Sequence, residues 1–296
     1  MRSVFCVVAL GAVLVACGGG GGGGTSFTDP DSLQFTYDSY LPVSAYDGTS
    51  DAAGAGMVGA TDTMELTAAS DDGYTQSLAN LPDTMAGDVF DSNLPAVVQA
   101  QRAQARMSRL ASAYATGDLV AATQGFDNPA CVSIDTTHVH YTGCVYTDPG
   151  DGTTITLSGL MTRSDVDVTW DASVAIHMTF VDPAGNVSVT VGSHLVGLIA
   201  VSPLDVNLYN VIGAGRSDTG AAASGQGHYV AFSFTHKAYL DLVYQAGATA
   251  CVVGGSVELK RAWSNRPTGY TAADLPNQGI KFVWGGCGSI QYAWGH

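Results

Sequence analysis

The stretch "DVDVTWDASVAIHMTF", residues 165–180, decides the fold. Val166, Val168 and Trp170 alternate with Asp165, Asp167 and Thr169; Val174, Ile176, Met178 and Phe180 alternate with Ser173, Ala175, His177 and Thr179. A period of two places successive side chains on opposite faces of an extended strand, so each segment has one apolar and one polar face. The same period recurs outward from here: Val230, Phe232 and Phe234; Val257 and Leu259; Ile280, Phe282 and Trp284; Ile290, Tyr292 and Trp294. Turn-forming runs separate them: "DPGDG", "DPAGN", "GAGRSDTGAAASGQG", "SNRPTG" and "LPNQG". From Cys131 to the end the pattern predicts an antiparallel meander of roughly a dozen strands, polar on one side. Such a sheet must curl into a curved sheet or half-barrel to bury its apolar side.

Upstream, "DSNLPAVVQAQRAQARMSRLASAYATGD" predicts the one long helix, over 95–116. Asp91, Ser92 or Asn93 caps it, Pro95 suits its first turn and Gly117 ends it. Ala96, Ala100, Ala103, Met107, Leu110 and Tyr114 form its apolar stripe, which can fill the sheet's apolar side. Arg102, Arg106 and Arg109 share another face and are expected to meet water or the acidic segment before them. Residues 93–296 therefore read as one helix-plus-sheet domain of mainly β class. Residues 25–92 read as an acidic, partly ordered extension. No Lys or Arg occurs from Thr25 to Gln101, whereas twelve acidic residues lie between Asp29 and Asp91. Phe35, Tyr37, Tyr40, Tyr46 and Phe90 give that extension the means to dock on a folded neighbour.

The formal net charge is −15, which argues against nucleic acid as a partner. Past residue 17 the cysteines are Cys131, Cys144, Cys251 and Cys287. An even number in an exported chain predicts two disulfides. Three pairings are possible; Cys131–Cys144 and Cys251–Cys287 are favoured because each pair flanks neighbouring strands. A four-cysteine metal site is opposed by the lack of a CxxC spacing.

The amino terminus supplies the export signal. Met1-Arg2 precedes the apolar run "SVFCVVALGAVLVA", too short to span a bilayer stably. Leu14-Val15-Ala16-Cys17 resembles the lipobox of bacterial lipoproteins. The resemblance implies that residues 1–16 are a signal peptide and that the Cys17 sulfur takes a diacylglyceryl group. It further implies cleavage after Ala16, acylation of the new amino group and a membrane held as partner through the lipid. Gly18–Gly24 then form a flexible tether with a mean reach of about 15 Å. Gly rather than Asp at residue 18 resembles the enterobacterial sorting pattern for the outer membrane of the cell envelope. The layout of helix and meander is similar to the half-barrel of bacterial lipoprotein carriers. The segment "CVVGGSVELKRAW…IKFVWGGCGSIQYAW" resembles a closing hairpin in uncharacterised β-rich lipoproteins of gliding and predatory bacteria.

Catalytic motifs are absent from the sequence: no G-x-S-x-G, no H-E-x-x-H, no phosphate-binding glycine loop followed by Lys. Ser217 and Asp218 sit in "GAGRSDTG", read here as a Gly/Ala-rich turn. Glu65 and Glu258 are the only glutamates, and no twelve-residue calcium loop occurs. The best constellation is "DTTHVHYTGC". His138 and His140 share a strand face and could hold a divalent metal with Asp135 or His177. No other cofactor is implied, and the plainer reading is a pair of solvated histidines. His228 and His236 read as strand ends. Three functions remain open, with a protein or a lipid as the possible ligand: a non-enzymatic envelope lipoprotein for binding or scaffolding; a carrier of a lipid or other hydrophobic ligand in a half-barrel cavity; and an exported hydrolase or metalloenzyme with a dispersed site.

Overall fold

The computed structural model describes residues 26–42, 126–147, 152–164, 167–182, 185–224, 232–247 and 251–296. The helix expected over 95–116, most of the acidic extension, Cys17 and its glycine run lie outside the described residues.

The described chain is mainly β, a single antiparallel open sheet of eleven strands. They are β1 (Leu41–Pro42), β2 (Val132–Ile134), β3 (His138–Thr147), β4 (Thr154–Arg163), β5 (Asp167–Asp182), β6 (Gly185–Asp205), β7 (Leu208–Ser224), β8 (Ser233–Gln245), β9 (Cys251–Asn265), β10 (Gln278–Gly286) and β11 (Ser289–Gly295). From β2 to β11 each strand pairs with its sequence neighbour, and β1 returns to pair with β11. Nearest-neighbour pairing follows from the short turns, since a tight connection can only join antiparallel strands.

The alternation read from the sequence sets the faces. Val139, Met161, Leu157, Val174, Ile176, Val191, Leu242, Phe234, Val257, Leu259, Ile280 and Phe282 are almost or fully buried and belong to one continuous apolar cluster. Register connects them across strands: Val139 opposes Met161, Leu157 opposes Val174, and Phe282 opposes both Val257 and Tyr292. In β3 the alternation slips. Gly143 has φ of 59° and the pairing register shifts between Tyr141 and Cys144, which brings Cys144 onto the apolar face. A left-handed residue is what a bulge of this kind requires.

Both outer edges of the sheet are covered. Asp127 N–H donates to the Val145 carbonyl and β2 pairs with Val139–Tyr141, so β3 is partnered along much of its length. On the far side Thr36 and His296 exchange two backbone hydrogen bonds, Asp38 N–H donates to the Trp294 carbonyl, and β1 follows. Short, irregular edge segments stop a sheet from pairing with another chain. The disulfides join Cys131 to Cys144 and Cys251 to Cys287, with Cα atoms 5.2 and 5.6 Å apart. They close loops of 13 and 36 residues. On chain-entropy grounds these contribute about 3 and about 4 kcal/mol by restricting the unfolded chain.

One expected turn is a strand. "GAGRSDTG" lies inside β7, paired along its length with β6 and β8. Small residues there make room for large neighbours on the apolar face. A Cβ at Gly213 would meet Leu240 Cβ at 3.3 Å, and one at Gly197, opposite Gly215, would overlap the Trp170 indole. Glycines that read as a turn are therefore the flat part of the sheet over which bulky side chains lie.

Candidate functional site: a charged clasp on the polar face

His138 and His140 do leave the same face of β3, with ring centroids 5.9 Å apart. Asp135 reaches His138, its Oδ1 lying 3.2 Å from Nδ1. That carboxylate is committed locally, however, accepting from the Thr137 and His138 backbone N–H groups at 2.8 Å each. The hydrogen bond from the Thr137 backbone, opposed by desolvation but joined by bonds from His138 and the Thr137 hydroxyl, holds Asp135 at about 2. His177 is remote. His138 opposes Thr162 and His177 opposes Thr154, eight residues further along β4, or roughly 26 Å at strand rise. It bonds Thr190 Oγ1 instead, at 2.8 Å. Among the described residues no three possible metal ligands converge.

The densest arrangement of charge lies on the polar face of β7–β9. Arg216 opposes Lys237, and Lys237 opposes Lys260, so three cations stand side by side across three strands. The N-terminal segment lies over them. Asp29 caps a single turn of 3-10 helix, Pro30–Ser32, its side chain accepting from Asp31 N–H. Asp29 then reaches Lys237 at 2.7 Å and Arg216 at 3.6 Å. Asp31 takes Lys237 Nζ at 2.6 Å, Lys260 Nζ at 3.1 Å and the Tyr239 hydroxyl. Asp218 and Glu258 flank the row, bonded to Arg216 at 2.9 Å and to Lys260 at 3.5 Å. Thr235 Oγ1 donates to Asp218 and Tyr37 Oη to Glu258, each at 2.5 Å.

Aromatic side chains complete the docking. A Cβ at Gly295 would lie 2.9 Å from the Tyr37 ring, and one at Gly279 would lie 3.0 Å from the Tyr37 hydroxyl and 3.3 Å from Phe35. Two glycines on the polar face thus form the seat for Phe35 and Tyr37. Thr235, on the polar face of β8, is as fully buried as Phe234 on the other.

Electrostatics follow from the geometry. Burial works to raise Asp31, but the bonds from Lys237, Tyr239 and Lys260 prevail and hold it at about 2. Asp29 moves down in the same way, burial being outweighed by Lys237 and the Asp31 backbone. Both carboxylates are depressed in the folded state. Their contribution is complete above the usual carboxylate range near 3.8 and drains away as pH falls toward 2. We expect amide protection at Thr36, Asp38 and His296 to hold steady through neutral pH and to fall between about pH 4 and 2. Asp31→Asn should cost about 1–2 kcal/mol at neutral pH and flatten that acid step. An unchanged acid step in Asp31→Asn would remove Asp31 from this account.

The apolar face carries its own polar row. Ser193 and Thr219 hydroxyls lie 2.8 Å apart, and Thr219 is 3.2 Å from Ser217. Ser217 opposes His236, His236 opposes Arg261, and Arg261 Nη2 donates to Gln278 Oε1 at 2.9 Å. Ser217, His236 and Arg261 are 5 %, 6 % and 3 % exposed. Burial, then the charge of Arg261, pushes His236 well below its usual range, so its ring is neutral at pH 7. Burial, then the charge of Arg266, lowers Arg261 to about 9, so it keeps its charge at pH 7. Asp218 is on the opposite face, engaged with Arg216, and cannot complete a Ser–His–Asp set with Ser217 and His236.

His236 is therefore an interior residue of β8 rather than a strand end. Sequence reading also missed the clasp and Arg261. The parity of Val257 and Leu259 extends to Arg261 and would have placed it inward. Nothing local links Asp31 to Lys237, 206 residues away. No family model matches this chain, and no curated protein or solved structure does so either.

Proposed function

We propose that the chain is a non-enzymatic lipoprotein of the bacterial cell envelope, held at the outer membrane through acylated Cys17, whose sheet serves as a scaffold for binding. Its eleven strands curl as a half-barrel, the form in which so broad an open sheet best covers its apolar side. The observation that carries the binding role is an apolar patch on the polar face. Leu198, Leu204, Val206 and Ile212 are exposed around the β6–β7 turn. Leu198 opposes Ala214 and Ala200 opposes Ile212, so apolar side chains adjoin across the two longest strands. Exposed apolar surface of this kind marks interaction sites. The patch lies far from the start of the N-terminal segment. Phe27 sits beside Gly220, eight residues along β7 from Ile212 of the patch, or roughly 26 Å.

Packing favours a scaffold over a carrier for hydrophobic ligands. Val139, Ile176, Val191, Phe234, Leu242, Val257, Ile280 and Phe282 are fully buried members of one continuous apolar cluster. The test is Cys17→Ala in the full chain. Labelled palmitate should be incorporated by the parent and lost by the variant, which should leave the membrane fraction for the soluble one. Retention of the variant on membranes, without label, would refute the anchor. A lipid recovered in stoichiometric amount from the soluble variant would move the reading to the carrier.

A further inference from the structure

We propose that the polar face of β7–β9 is a recognition site for an acidic peptide, occupied in cis by Asp29-Pro30-Asp31, so that residues 26–42 are a releasable strap rather than a fixed part of the sheet. The first ground is the row of cations. Like charges directly opposite one another on a sheet repel. Yet Arg216, Lys237 and Lys260 stand in register on adjacent strands, in a chain whose net charge is −15. Asp218 and Glu258 engage the outer two members of that row. Among the described residues the carboxylates bonded to the central one, Lys237, are those of Asp29 and Asp31. The arrangement is stable as a receptor for carboxylates that come from elsewhere.

The second ground is the form of the occupant. Asp29 and Asp31 flank a proline at the start of a tight turn, which fixes the spacing of the two carboxylates. Lys237 bonds to both. Arg216 adds a contact to Asp29; Lys260 and the Tyr239 hydroxyl add theirs to Asp31. Five contacts on two carboxylates one residue apart define the ligand class, an Asp-x-Asp segment.

The third ground is that every other tie on the strap is non-covalent and few in number. Thr28 N–H donates to Ser264 Oγ at 2.6 Å, and Tyr37 to Glu258 at 2.5 Å. Thr36, Asp38 and His296 supply three backbone hydrogen bonds, Tyr37 bridges to Gly295, Asp38 Oδ2 lies 3.2 Å from His296 Nε2, and β1 is two residues long. The disulfides both lie downstream of the strap. Release would uncover a cationic strip and vacate the seat of Phe35 and Tyr37 on Gly279 and Gly295, with β2–β11 left intact.

The experiment uses the full chain carrying Asp29→Asn and Asp31→Asn, and a fluorescein-labelled peptide with the sequence of residues 26–42. Amide exchange at Thr36, Asp38 and His296 should quicken at least about tenfold in the double variant while the amides of β8 and β9 keep their protection. The labelled peptide should bind the double variant and weaken as salt rises. It should bind the parent at least about tenfold less, because the site is filled in cis. A peptide bearing the same two asparagines should not bind. Unchanged protection at Thr36 and His296 in the double variant would show that the carboxylates do not hold the strap, and would overturn the proposal. So would a released strap with no peptide binding. Should the double variant fail to fold, Lys237→Ala with Lys260→Ala removes the receptor and the repulsion together. Quickened exchange of the strap on a stable sheet would then support the proposal, and unaltered exchange would refute it. Acylation at Cys17 is untouched by all of these changes, so failure here leaves the anchor reading standing.

Discussion

Gly255→Ala should destabilise the protein by about 2–5 kcal/mol, a shift readily measured as a lower urea midpoint. Gly255 has φ of +104°, a conformation that side chains rarely adopt. It opposes Leu242 just beyond a bulge of β9, where Val243 opposes Gly254 but Tyr244 opposes Val252, leaving Val253 as the extra residue. A Cβ there would run into the Asp241 carbonyl oxygen and sit 2.7 Å from Leu242 Cα. Both obstacles are backbone atoms of β8, so no rotamer change relieves the clash. The backbone conformation alone costs an L residue roughly 1–2 kcal/mol, and displacing a paired strand adds the remainder. Gly254 is the control. A Cβ on it meets nothing within 4 Å, so Gly254→Ala should change stability by less than about 0.5 kcal/mol. Equal effects at the two positions would show that the bulge is not as described.

Phe234→Ala should cost about 3–5 kcal/mol, the range for deleting a buried phenyl ring and leaving its cavity. Phe234 is fully buried and lies between large neighbours. Its ring centroid is 5.0 Å from Trp263 in an edge arrangement, 5.9 Å from Phe232 in a stacked one and 4.8 Å from the His236 ring. Register places it between Thr219 and Trp263, where no smaller side chain can fill the same space. Thermal unfolding should show the loss, and the near-ultraviolet circular dichroism of Trp263 should diminish with it. Phe234→Leu keeps much of the volume and should cost less than half as much. A loss below about 1 kcal/mol for the alanine variant would show that the core is not continuous here.

These two sites differ in how far they could be read in advance. Phe234 was legible, because Phe232 and Phe234 follow the period of two and large apolar residues on one parity must face inward. Gly255 was not, because the pair Gly254-Gly255 looks alike in sequence and only the phase of the bulge separates them. The same limit explains β7. Its glycines, Ser217 and Asp218 have the composition of a turn, and their true role depends on what lies across the strand. His236 was misplaced for a related reason. A histidine next to an apolar run marks either an end or an interior position, and the choice depends on where the strand begins.

The clasp marks the boundary most clearly. Aromatic residues in the acidic extension signalled that it could dock, and Phe35 and Tyr37 do sit on Gly279 and Gly295. The arginines of the helix over 95–116, which lies outside the described residues, were expected to meet water or the charges of that extension. Asp29 and Asp31 instead meet Arg216, Lys237 and Lys260, partners drawn from three strands.

The sequence by itself determined the strand period, the apolar parity of β5 and of β8–β11, the antiparallel meander and the favoured disulfide pairs. All depend on neighbours in the chain or on short turns, and side-chain alternation follows from backbone geometry alone. Only the tertiary structure decided that Thr235 on the polar face is buried, that Arg261 lies inside, and that three cations align under a strap. Tyr37 bonds Glu258 across 221 residues of chain. Such contacts arise when strands distant in sequence are brought into one register, and a one-residue change of register would turn each of those side chains to the other face.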